Sequence, residues 1–128
     1  MIDHTGIFVS DLSASRAFYT AVLAPLGYGP GFANAEAAGF HDPRGRDPGG
    51  DFWLTHGTPF TPRSHGAFQA DSEAQVQAFY AAALQAGGRD HGAPGLRPQS
   101  HARYYAAFVW DPDGYNIEAV FHGAAPQA

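Results

Sequence analysis

The chain repeats itself at a spacing of 61 residues, and this repeat constrains its fold more than any other feature. His4 falls on His65, and Ala17, Phe18 and Tyr19 fall on Ala78, Phe79 and Tyr80. Ala21 falls on Ala82, Leu23 on Leu84 and Gly27 on Gly88. Two amphipathic helices can look alike by chance. Chance likeness does not put a histidine at the same distance upstream of both, whereas duplication does. A half of roughly 60 residues is too small to bury a core alone, so the halves are expected to pack as one unit.

Each half reads in the same order. Ile7-Phe8-Val9 is a short β-rich run, and Asp11 or Ser13 offers an N-cap for a helix from Ala14 to Leu26. Phe18, Val22, Leu23 and Leu26 recur at helical spacing, and Gly27 stops the run. In the second half His65 to Ala70 reads as a strand. Asp71 or Ser72 caps a helix to about Ala86, with Val76, Phe79, Tyr80 and Leu84 as its apolar stripe and Gly87-Gly88 as its stop.

Strand-like pieces follow each helix: Tyr28–Asn34, Glu36–His41 and Asp51–His56 in the first half, then a weak piece near Arg89, Tyr104–Trp110 and Tyr115–His122 in the second. Asp111-Pro112-Asp113-Gly114 is a strong turn signal, making the two strands beside it antiparallel neighbours. Gly88 to Arg103, rich in glycine, proline and arginine, reads as a long functional or mobile loop. The expected fold is α+β: two βαβββ modules, about 1–60 and 61–122 of a single 1–128 domain. Their curved mixed sheets form a cleft with the helices outside. The tail from Gly123 is expected to fray.

Composition removes several kinds of chemistry. The chain has 128 residues and no cysteine, so there is no thiolate ligand or cysteine nucleophile. Its seven basic residues are all arginine, which excludes a Schiff-base or phosphate-loop lysine. A net charge of −5 with no basic stripe argues against nucleic acid. No run approaches the ~20 apolar residues of a membrane span, and no signal peptide is visible. A cytoplasmic location is the default expectation.

Three segments carry a family resemblance. His4-Thr5-Gly6-Ile7-Phe8-Val9-Ser10-Asp11-Leu12 resembles the first strand of the vicinal-oxygen-chelate superfamily. Phe18-Tyr19 through Leu23, Leu26, Gly27 and Tyr28 resembles its first helix. Phe108-Val109-Trp110-Asp111-Pro112-Asp113-Gly114-Tyr115-Asn116-Ile117-Glu118 resembles its closing hairpin and is the most specific of the three. That superfamily includes glyoxalase I, extradiol dioxygenases, fosfomycin-resistance proteins and the metal-free bleomycin-resistance branch.

The resemblance implies metal ligands at His4, His65 and Glu118, converging on one point. Aligning Asp51-Phe52-Trp53-Leu54 with Asn116-Ile117-Glu118-Ala119 puts Trp53 where glyoxalase I has a carboxylate. An indole N–H only donates, so it cannot ligate. Two imidazoles and one carboxylate suit Fe, Mn, Ni, Co or Zn and leave positions open for a bidentate substrate. The resemblance also implies a homodimer in which His4 completes a site with His65 and Glu118 of a partner subunit.

Other residues are candidates on their chemistry. Tyr104 and Tyr105 point to opposite faces of one strand, so one of them is expected beside Glu118 as a catalytic or hydrogen-bonding phenol. Trp53 and Phe52 are candidate walls of an aromatic pocket, with plain strand packing the ordinary alternative for the pair. His101, Arg103 and Arg97 lie on the long loop as candidate contacts for an anionic substrate, with plain surface exposure the ordinary alternative for each. His41, His56, His91 and His122 have no counterpart in the repeat and receive no role. The sequence thus supports a metal-dependent enzyme acting on a small oxygen-chelating molecule, of lyase, isomerase or dioxygenase type. Alternatives are a metal-free binding or antibiotic-sequestering protein and a purely structural metal site.

Overall fold

The computed structural model describes residues 1–123, so the expected frayed tail beyond Gly123 lies outside the described residues. The first half runs β1 (Thr5–Val9), α1 (Leu12–Leu23), β2 (Gly29–Ala33), β3 (Ala37–His41) and β4 (Phe52–His56). The second runs β5 (His65–Gln69), α2 (Glu73–Gln85), β6 (Arg89–Leu96), β7 (Tyr104–Trp110) and β8 (Asn116–His122). Each half forms a four-stranded mixed sheet, in the orders β1-β4-β3-β2 and β5-β8-β7-β6. In both, the first strand runs parallel to the last and the other pairings are antiparallel. The expected α+β fold of two βαβββ modules is what the chain adopts.

The helices start where capping chemistry allows. Asp11 accepts from the Ala14 N–H at 3.0 Å, and Ser72 accepts from the Gln75 N–H at 3.1 Å. The first helix ends earlier than its periodicity suggests. Pro25 has no N–H to extend an α-helix, so Ala24–Leu26 tightens into a 3-10 turn closed by Gly27 at φ 85°. In α2 the buried stripe is Val76, Phe79 and Ala83. Leu84, expected in that stripe, is exposed because Ala83 takes the inward position four residues after Phe79.

Half of the expected loop from Gly88 to Arg103 is strand β6. Glycine and proline disguise it, but β6 is an edge strand, where Pro94 need not donate to a ladder. Its pairing with β7 breaks register on either side of Gly92. Both helices pack on one side of the sheets, and one continuous core runs through both halves: Val9, Phe18, Leu23 and Leu54 with Val76, Phe79, Val109 and Ile117. Strand alternation then fixes the other face. With Ile7 and Val9 inward, Gly6 and Phe8 lie on the open side of the first sheet. With Ile117 and Ala119 inward, Asn116, Glu118 and Val120 lie on the open side of the second.

The turn Asp111–Gly114 also fastens the halves together. Asp111 accepts the Asp113 and Tyr115 N–H groups, each at 2.9 Å, and the Tyr19 hydroxyl of α1 at 2.5 Å. Asp113 accepts from the Ser10 N–H at 3.1 Å and from its hydroxyl. Tyr115 donates to the Phe8 carbonyl at 2.6 Å and accepts the Phe60 N–H at 2.9 Å. Burial raises the pKa of the Asp111 carboxyl above its ordinary value, against the lowering effect of the Tyr19 hydrogen bond. No helix among the described residues is long and apolar enough to cross a membrane.

Candidate metal centre

Glu118 organises the open face of the second sheet. It sits mid-strand in β8, 2% exposed, because alternation aims it away from the helices while its neighbours close over it. Its Oε1 lies 3.0 Å from Nε2 of His65 on β5, and its Oε2 accepts the Tyr104 hydroxyl from β7. The ladder makes this meeting possible: Ala67 pairs with Glu118, and Phe108 pairs with it from the other side.

The imidazole of His65 is held by its second nitrogen. Nδ1 lies 2.8 Å from the Asn116 carbonyl oxygen, which can only accept, so Nδ1 carries the proton. A neutral ring then turns the Nε2 lone pair toward a carboxylate oxygen. Two acceptors 3.0 Å apart need a proton or a cation between them. A histidine anchored through one N–H to a backbone carbonyl is the usual arrangement for a metal ligand. Adjacent ligands on an ion with bonds of ~2.1 Å lie about 3.0 Å apart, so the pair suits a divalent first-row ion. The spacing of His65 and Glu118 therefore fits that of two adjacent ligands on such an ion.

His4 does not join them within one chain. It immediately precedes β1, is 62% exposed and hydrogen-bonds Asp3 at 2.8 Å, which raises its pKa. No group of three or more His, Cys, Asp or Glu among the described residues is arranged to hold a metal ion. The register does relate Trp53 to Glu118. Gly6 pairs with Trp53 in the first sheet, and Ala67, which follows Gly6 by the repeat spacing, pairs with Glu118 in the second. The Trp53 indole donates to the Gly50 carbonyl at 3.0 Å and lies against Gly39 and Gly50, where added methyl groups would press on it at 3.0 Å.

Of the two tyrosines, Tyr104 faces Glu118. Burial first, then the hydrogen bond to Glu118, pushes its pKa up to about 12, so it is a proton donor at neutral pH. Tyr105 faces the helices and accepts from the Gln77 side chain at 2.9 Å. His101 borders Tyr104 edge-on at 5.4 Å and pairs with His122 at 2.8 Å. The Arg103 N–H donates to Nδ1 of His101, which leaves the His101 Nε2–H to donate to His122. The Arg103 side chain is exposed.

Sequence reasoning assigned no role to His91, Phe108 or the Asn116 side chain. In the structure His91 stacks on Trp110 at 3.8 Å, and Phe108 stacks beside His65 at 6.2 Å. The available signal was strand alternation from Glu118: Asn116 shares its strand face, and Phe108 is its ladder partner.

Two like halves with open sheet faces, a histidine entering the first strand of each and a carboxylate in the last strand of one define a paired-module cleft protein. The comparisons name its class. A sequence profile of the Glyoxalase/Bleomycin resistance protein/Dioxygenase superfamily matches residues 1–119, and the chain belongs to that superfamily, which includes enzymes. A glyoxalase/bleomycin resistance protein from Albidiferax ferrireducens T118 is 34% identical, with a TM-score of 0.76 over 94% of this chain and 98% of its own. A glyoxalase-related enzyme from Fulvimarina pelagi is 21% identical, with a TM-score of 0.70 over 100% of this chain and 98% of its own. Lactoylglutathione lyase from Agrobacterium tumefaciens is 18% identical, with a TM-score of 0.69 over 94% and 92%. The last two share the fold. No curated protein matches the chain.

Proposed function

We propose that the chain is a homodimeric, metal-dependent enzyme acting on a small oxygen-chelating molecule. Its site comprises His65 and Glu118 of one chain and the partner's His4. The observation that carries this reading is the His65–Glu118 pair at 3.0 Å, with Nδ1 already committed to the Asn116 carbonyl. The open face of the first sheet supports the dimer. Phe8 and Phe32 are 44% and 54% exposed there, Phe32 lies 6.3 Å from Trp53, and this is the side His4 adjoins. Monomeric proteins rarely leave such aromatic surface uncovered.

A bound divalent ion would supply Lewis acidity to a chelated carbonyl, enediolate or alkoxide. The chain's own residues do the rest. Glu118 and His65 hold one side of the site, and the anchored imidazole keeps its lone pair aimed. Tyr104 orients Glu118 and keeps a proton that can be given to a developing oxyanion. Trp53 walls the face brought by the other subunit.

A second reading is favoured by one observation: among the described residues a single chain gathers only two of the three ligands. A protonated His65 paired with Glu118 would then be an ion pair in a metal-free binding cleft of the sequestering type. Elemental analysis of protein purified without chelators, paired with sedimentation, separates the two. About one divalent ion per chain in a dimer supports the enzyme reading. A metal-free protein that takes up none of Fe, Mn, Co, Ni or Zn overturns it.

A further inference from the structure

Beside His65 lies a depression of about 240 Å³ on the open face of the second sheet, bordered by His91, Arg97, Gln99, Ser100, Phe108 and Asn116. Resting on the proposed function above, we infer that this depression is the subsite for the anionic end of the substrate. Arg97 is its binding residue, and the group it recognises is a carboxylate or a phosphoryl oxyanion.

Arg97 is set apart from the other cations. All seven arginines lie within the described residues; Arg97 is half-buried and the other six are exposed. It makes no ion pair with a described carboxylate. Its backbone N–H donates to the Tyr104 carbonyl at 2.7 Å, which puts its side chain on the same face as Tyr104 and Phe108. The guanidinium donates to the Ala93 carbonyl at 2.6 Å and to the Leu96 carbonyl at 3.4 Å, and lies over the Phe108 ring at 5.5 Å.

The strand is shaped for that guanidinium. A methyl group on Gly92 would lie 3.2 Å from Nη2 of Arg97, and one on Gly95 would lie 3.1 Å from Nη1. Gly92 also has φ +152° where the β6–β7 register slips. The glycines and the register slip that disguised β6 in the sequence are what let Arg97 fold back onto Phe108.

Two neutral acceptors cannot cancel the charge of a guanidinium, and its remaining N–H groups present the fork that oxyanions match. A second, independent feature lines the same depression. The Asn116 side-chain oxygen is buried and has no hydrogen-bond partner. Buried polar atoms are nearly always satisfied, and an amide oxygen only accepts, so the group it lacks is a donor such as a substrate hydroxyl, while the oxyanion itself rests on Arg97. The His65 ring, on β5, stacks on Phe108 of β7 across the intervening β8, so a ligand held by Arg97 reaches the proposed ligating pair on the same sheet face.

The test is an NMR-detected titration of the dimer with acetate, methylphosphonate and neutral ethylene glycol. It uses the wild type and the variants Arg97→Gln, Arg97→Lys, Gly95→Ala and Arg103→Gln. One or both anions bind the wild type, and their ratio says which oxyanion the site prefers. Arg97→Gln weakens that binding by about tenfold or more, since a charge-assisted contact is lost. Arg97→Lys recovers part of it. Gly95→Ala weakens it with the charge retained, because the guanidinium is pushed aside. Arg103→Gln leaves it unchanged. Failure of both anions to bind, or equal binding by wild type and Arg97→Gln, overturns the inference. Metal uptake measured on the same variants keeps the two claims apart. Arg97→Gln still loads metal if the centre is as proposed, while anion binding by a protein that never loads metal spares Arg97 and sinks the enzyme reading.

Discussion

Glu118→Gln separates folding from metal binding, because the amide can satisfy the same neighbours. Glu118 has one oxygen 3.0 Å from Nε2 of His65 and the other on the Tyr104 hydroxyl. In glutamine the NH₂ donates to the neutral Nε2 while the carbonyl oxygen accepts from Tyr104. Nothing buried is left unpaired and no cavity opens, so the metal-free variant should match wild type within about 1 kcal/mol. The proposed metal centre loses the carboxylate of Glu118. Loss of outer-shell partners alone costs ~10–100-fold in affinity, so a ligand should cost at least about 100-fold.

At a metal concentration 100 times Kd, binding stabilises the wild type by about 2.7 kcal/mol, and a 100-fold weaker site gains about 0.4 kcal/mol. For a chain of this length ~1 kcal/mol moves Tm by about 3–6 °C, so the wild-type shift should be near 10 °C and the variant's about 2 °C. Melts with and without Mn, Co, Ni and Zn, on protein first stripped with chelator, measure both. An equal metal-induced shift in the two proteins would refute Glu118 as a ligand. A variant that unfolds without metal would refute the claim that the amide satisfies its neighbours.

Three further outcomes follow from the same geometry. Asp111→Asn flattens the acid side of the stability profile. A carboxyl whose pKa is raised by burial contributes stability that is full below the unfolded pKa and falls as pH climbs through that value to the folded one, so wild type loses stability over that window and the variant does not. Denaturant midpoints between pH 3 and 7 read this, and parallel profiles would contradict it. Tyr104→Phe removes the late-titrating phenol near pH 12 from the ultraviolet titration and loosens the orientation of Glu118, while the fold remains; a curve identical to wild type would show that Tyr104 is not the displaced group. The metal-loaded protein should not turn over the methylglyoxal–glutathione hemithioacetal in the ordinary range of ~1–10³ s⁻¹, because Trp53 stands at the register position matched to Glu118 and no second acidic ligand is there to act as base. Turnover in that range would mean the base lies elsewhere, with Asp51 the first residue to test.

The architecture was legible because its signals are local and occur twice. The helix stripes, the caps at Asp11 and Ser72 and the Asp111–Gly114 turn depend only on near neighbours, and the repeat lets each half check the other. Where the chain departs from the reading, the cause is a side chain whose effect depends on its setting. Pro25 stops α1 a turn early. Pro94 and the β6 glycines look like loop residues but belong to an edge strand, where proline is tolerated. The site was half legible. A glutamate in an apolar strand stands out, and its histidine follows from the repeat. That Tyr104 rather than Tyr105 meets Glu118 depends on the β7–β8 register, which pairs Phe108 with Glu118. Arg97 was visible only as one of three candidate anion contacts on a presumed loop; its burial comes from a register slip that no local pattern announces.

The central claim is a metal centre built from His65 and Glu118 of one chain and the partner's His4, and mixing two defective variants tests it most directly. His4→Ala and Glu118→Gln should each bind metal poorly alone. When their subunits exchange, a mixed dimer contains one site with all three ligands and one lacking both His4 and Glu118. Random pairing should restore metal to about one site in four. Elemental analysis of the exchanged mixture, beside the unmixed variants, reads the recovery. Recovery at that level is the predicted result; no recovery, with exchange shown to be complete, would contradict a site shared between subunits.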